Sequence, residues 1–144
     1  MKIRWGLGVL VVTVITAAHV EASAAKTRTY IGTIGKGLKI EMRLTEEPVF
    51  QTNNGETYQS GIRYTGTYSY VNQGKPIKVS GVYNAMGKLG AVEHPRIELR
   101  EDTDGEYTGY FNGSFSKSGV YSGTWSSADG KRTLRFVLTP MRGK

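Results

Sequence analysis

No cysteine occurs anywhere in the 144 residues. That absence excludes disulfides, a lipoprotein anchor, thiolate metal sites and cysteine catalysis together. Histidine is almost as scarce, with His19 and His94 the only two. A multi-histidine metal centre cannot be assembled from them, and neither a metal nor a cofactor is expected. No serine sits in a nucleophile elbow, and no stretch beyond residue 24 carries a helical apolar stripe. His94, before Pro95 in "VEHPRIE", reads as an isolated surface histidine. Glu98 and Glu101 alternate with Arg96 and Arg100, a pattern of cross-strand charge pairing on a solvent face. No enzymatic activity, and so no catalytic residue, is expected.

What the chain does have begins with an export signal. Lys2 and Arg4 precede an apolar run from Trp5 to Ala18, and Ala22-Ser23-Ala24 supplies an A-x-A cleavage site. The run is shorter than the about twenty residues a membrane span needs. Residues 1–24 are therefore expected to be a signal peptide and 25–144 a single mature domain without a membrane span, periplasmic or secreted. Removing Lys2, Arg4 and Glu21 leaves 17 basic against 11 acidic residues, a net charge of +6. Such a domain is drawn to polyanions of the envelope or to an acidic partner. Nucleic acid is not expected, because Tyr64, Tyr68 and Tyr70 alternate with Arg63 instead of sharing its face.

Alternation of period two dominates the mature chain. Ile40, Met42 and Leu44 alternate with Lys39, Glu41 and Arg43, and Leu134, Phe136 and Leu138 alternate with Thr133, Arg135 and Thr139. Ile62, Tyr64, Gly66, Tyr68 and Tyr70 share one face of a further strand. Turn residues such as Gly35-Lys36-Gly37, Asp102 to Gly105 and Asp129-Gly130 separate the runs. The pattern predicts eight strands near 27–34, 38–46, 61–71, 76–84, 96–101, 106–116, 120–126 and 132–139. Short connections make antiparallel neighbours, and one apolar face per strand must be covered. The expected fold is all-β, a meander forming a small barrel or a sandwich. The longer connections, 46–60 and 84–95, are the expected places for function.

Glycine flanked by aromatics recurs at Tyr64-Thr65-Gly66-Thr67-Tyr68, Tyr107 to Phe111 and Tyr121 to Trp125, as a curved sheet requires. The ordered set of Tyr30 to Ile34, Ile40 to Leu44, Gly66 to Tyr70, Pro76 to Gly81, Leu99 to Glu101, Thr108 to Gly113, Gly123 to Trp125 and Phe136 to Leu138 resembles a class of small exported bacterial β-proteins. Thr65-Gly66-Thr67-Tyr68 with Gly123-Thr124-Trp125 also resembles pieces of avidin-like barrels.

Ser60-Gly61-Ile62-Arg63-Tyr64 is similar to the S-G-x-x-Y loop of bacterial periplasmic lysozyme inhibitors. That resemblance implies a non-enzymatic, immunity-type protein that blocks a muramidase or other cell-wall hydrolase. Ser60, Gly61, Arg63 and Tyr64 would be the partner-binding residues, projecting at the scaffold edge where the 46–60 connection turns into the third strand. The alternative is a binding module for an envelope polyanion or a small ligand, built as an avidin-like or lipocalin-like barrel. Whichever holds, the protein is expected in soluble form in periplasm or medium, with its N-terminus at Ala25 or within a residue or two. N-terminal sequencing of the fractionated protein checks this, and recovery from the inner membrane with Met1 retained contradicts it.

Overall fold

The structure, a computed structural model, describes residues 25–84 and 96–143. The expected signal segment, His94 and nearly all of the 84–95 connection lie outside the described residues. Among those described, eight strands run β1 (Lys26–Ile34), β2 (Leu38–Asn53), β3 (Glu56–Tyr70), β4 (Ile77–Asn84), β5 (Arg96–Thr103), β6 (Glu106–Phe115), β7 (Tyr121–Ser127) and β8 (Thr133–Pro140). Each pairs antiparallel with the next, and β8 returns to β1, so the meander closes into a barrel. Closure leaves no sheet edge around the circumference, which decides between the two predicted architectures.

An eight-stranded barrel has an interior about as wide as its own side chains can fill. Here inward residues on alternate positions do so: Tyr30 and Ile34, Ile40, Met42 and Leu44, Tyr64 and Tyr68, Ile97 and Leu99, Phe136 and Leu138 are all buried. Rings form a continuous column. Tyr64 stacks on Phe115, which stacks on Tyr121 at 4.6 Å, and Tyr121 meets Phe136 at 4.8 Å. Phe136 contacts Phe111 at 5.1 Å, and Phe111 reaches across the barrel to Tyr68 on β3 at 5.2 Å. Tight curvature asks for glycine where neighbouring backbones crowd. At Gly66 a Cβ would run into the Arg43 carbonyl, so no other residue fits there.

The 46–60 connection is not a loop. β2 and β3 continue through it as a hairpin closed by Asn54-Gly55, both with positive φ (52° and 81°). Asparagine and glycine are the residues that a two-residue turn of this hand favours. The hairpin was missed because its outer half is wet on both faces and shows no apolar alternation.

Burial raises the phenol pKa of Tyr30, Tyr64, Tyr68 and Tyr121 above the ordinary value of about 10. Below that pH both folded and unfolded chains hold these protons, so the groups leave stability unchanged. Above it the unfolded chain releases them while the barrel retains them, and stability falls as pH rises. Alkaline titration should therefore show these four phenols ionising only as the near-ultraviolet circular dichroism collapses. Ionisation of all nine tyrosines near pH 10 with the dichroism intact would contradict the packing.

Candidate functional site

Two regions concentrate polar groups in unusual settings, and the S-G-x-x-Y stretch lies at the root of the first. β1 stops pairing with β2 at Lys26 opposite Glu46, and β4 stops pairing with β3 at Asn84 opposite Gly61. Beyond those points residues 50–53 and 56–59 pair only with each other among the described residues. At about 3.4 Å per residue this two-stranded ribbon and its turn reach roughly 15 Å past the last barrel pair.

The ladder between β2 and β3 shifts register beside Val49, and Ser60 is the residue it skips. Ser60 donates its hydroxyl to the Val49 carbonyl at 3.2 Å and is only 8% exposed. Gly61 is pressed against β4, where a Cβ would collide with the Tyr83 carbonyl. Tyr64 is 4% exposed and lies in the aromatic column. Arg63 alone of the four points outward to solvent, opposite Glu47 in the ladder. The expectation that Ser60 and Tyr64 project from the edge is thereby corrected. The bulge at Ser60 and the close approach at Gly61 belong to the wall, and the side chain of Tyr64 belongs to the core.

What projects instead is the ribbon. Phe50 keeps the parity of Ile40, Met42 and Leu44, while Tyr58 pairs with Gln51 on the opposite face. Both rings are accessible, at 38% and 43%. Thr52 and Thr57 share a hydroxyl hydrogen bond of 2.9 Å, and Tyr58 donates to the Gln51 side-chain oxygen at 3.4 Å. From residue 46 to residue 62 the charged side chains are Glu46, Glu47 and Glu56, with no lysine or arginine among them. A basic protein thus carries an extension with two accessible rings, one carboxylate and no cation. The dipeptide Asn54-Gly55 between β-prone residues was the available signal.

The second region is a buried carboxylate. Glu101 was read with the solvent-facing charges of its strand, yet it shares the parity of Ile97 and Leu99 and is 5% exposed. Its Oε2 accepts from the Tyr68 hydroxyl at 2.6 Å and the Trp125 Nε1–H at 2.8 Å. Its Oε1 accepts from the Thr108 hydroxyl at 2.7 Å. Thr108 is itself the residue skipped where the β5–β6 register shifts. A bulge re-aims a side chain, and here it turns an alternate-face threonine toward the carboxylate. No cation pairs with Glu101 among the described residues. Three neutral donors satisfy it. The arrangement is that of a structural tie.

No family model, curated protein or solved structure matches the chain.

Among the described residues no group of three or more His, Asp or Glu side chains could hold a metal. The interior is spanned by rings, and the polar side chains open to a partner are those of the ribbon and of the outer wall.

Glu101→Ala would leave the Tyr68 hydroxyl and the Trp125 indole N–H buried without acceptors, at about 1–3 kcal/mol each. A total loss of roughly 3–5 kcal/mol in urea unfolding is expected, against about 0.5 kcal/mol or less for the exposed Glu98→Ala. Glu101→Gln should fall between, since its amide oxygen still accepts from both rings. Equal costs for Glu101→Ala and Glu98→Ala would put the carboxylate in solvent.

Proposed function

We propose that this protein is an exported, non-enzymatic interaction protein that engages a protein partner, a muramidase or other cell-wall hydrolase, through the β2–β3 ribbon. The observation that carries the reading is the ribbon itself, whose residues 50–53 and 56–59 pair with no other strand among the described residues. A segment that contributes nothing to closure yet holds two accessible rings has the composition of an interface anchor, since aromatics dominate binding hot spots. Its charge supports the partner class. The mature domain as a whole would repel a basic lysozyme, but a run with three carboxylates and no cation offers local complementarity to one.

The S-G-x-x-Y resemblance supplies the enzyme class, and the four residues divide by position in this reading. Ser60 and Gly61 set the angle at which the ribbon leaves the wall, and Tyr64 anchors it to the core. Arg63 stands at the foot of the contact surface, where its guanidinium can meet a carboxylate of the partner. Export, and a periplasmic or secreted location, rest on the signal at residues 1–24.

A pull-down with the mature domain, followed by inhibition assays on c-, g- and i-type lysozymes and bacterial muramidases, tests the reading. Phe50→Ala combined with Tyr58→Ala should weaken inhibition about thirtyfold, or about 2 kcal/mol, with the melting temperature nearly unchanged. Tyr64→Ala should instead lower the melting temperature sharply, as loss of a core ring does. If the wild type inhibits none of these enzymes, or if the ribbon variant inhibits as well as the wild type, the proposal fails.

A further inference from the structure

The outer wall of β1 to β4 carries a second surface of different chemistry. Thr27, Thr45, Thr65 and Ser80 lie in one register row across the four strands. The next row places Thr29, Arg43, Thr67 and Lys78 side by side. All of these except Thr29 line an open groove of about 550 Å³, which Gly66 and Asp102 also border. The Thr27 and Thr45 hydroxyls share a hydrogen bond of 2.8 Å at its edge.

The charges in the groove are not spent on each other. Arg43 and Lys78 have no ion pair or side-chain hydrogen bond among the described residues. Asp102, which faces Lys78 in the ladder, is held instead by the Arg100 guanidinium at 3.0 Å. Two cations thus flank Thr67 on adjoining strands while their natural counter-ion is engaged elsewhere.

From this we infer that the β1–β4 wall binds a linear acidic polysaccharide. Carboxylate or sulfate groups would meet Arg43 and Lys78, and ring hydroxyls would exchange hydrogen bonds with Thr27, Thr45, Thr65 and Ser80. Four strands span about 14 Å, and their spacing is close to one sugar ring per strand. The groove is open at its ends, so a chain can run through it. None of its lining residues is aromatic. Stacking surfaces are what single-stranded nucleic acids require, and the hydroxyl-and-cation composition instead suits an anionic sugar. The net charge of +6 on the mature chain adds long-range attraction to the same class of ligand.

The site is independent of the ribbon, and its test uses different residues and a different readout. Calorimetry of the mature domain with oligogalacturonate, a dextran sulfate fragment and neutral dextran measures binding at about 20 and about 200 mM salt. Binding of the two anionic chains and none of dextran is expected. Arg43→Gln with Lys78→Gln should lower the affinity at least about tenfold, while Arg132→Gln with Arg135→Gln, on β8 and the turn before it, should change it less than about twofold. Thr45→Val with Thr65→Val should weaken oligogalacturonate by a smaller but measurable factor. Equal losses from the two arginine-containing pairs would reduce the effect to diffuse charge and overturn the site. So would unchanged binding in the threonine pair, binding of neutral dextran, tighter binding of single-stranded oligo(dT), or no binding of either anionic chain.

Discussion

A closed barrel is as secure as its seams, and among the described residues the shortest ladder is the three register pairs between β4 and β5. The ladder between β2 and β3 has fourteen. Glu101 sits on the short seam, opposite Val79. Its two oxygens reach Tyr68 on β3, Thr108 on β6 and Trp125 on β7, so one carboxylate connects β5 to strands on either side of the weak joint. Burying a carboxylate costs several kcal/mol unless hydrogen bonds replace its water, and three donors at 2.6–2.8 Å do so. With no cysteine to cross-link it, the barrel relies on packing, ladders and this tie.

The aromatic column follows from the same closure. Once the sheet closes, the space inside must be filled to near-crystal density, and rings from β3, β6, β7 and β8 meet across it. Tyr68 belongs to both devices: its ring packs on Phe111 and its hydroxyl donates to Glu101. A fold that spends its interior in this way leaves its open polar groups on the outside, on the ribbon and the outer wall among other surfaces.

Strands were legible wherever one face is buried and the other wet, as in Ile40-Glu41-Met42-Arg43-Leu44, because burial writes a period of two into the chain. Where both faces are wet the period vanishes, which is why residues 50–53 and 56–59 read as part of a connection although Asn54-Gly55 marks their turn. Glu101 was misassigned for a different reason. Its charge suggested solvent, while its parity with Ile97 and Leu99 pointed inward, and parity is the stronger signal on a strand whose neighbours are buried. The S-G-x-x-Y string was visible as a string. That its serine sits in a bulge, its glycine against a carbonyl and its tyrosine in the core depends on register with β2 and β4, which no local spacing encodes.

A projecting two-stranded ribbon raises a problem of its own, since it has unpaired backbone along both sides and is only marginally ordered alone. Its root answers the second difficulty: Ser60 holds Val49, Gly61 lies against β4, and Tyr64 is fixed beneath. Pro48 answers part of the first. The Lys39 carbonyl points to the β3 side, accepting from the Val71 N–H. Alternation along β2 then turns the backbone of Pro48 to the open side, where it presents no N–H for another strand to use. That edge is blunted at its root against pairing with a foreign strand. Phe50 and Tyr58, one on each face, are then the large exposed side chains that the ribbon offers beyond it.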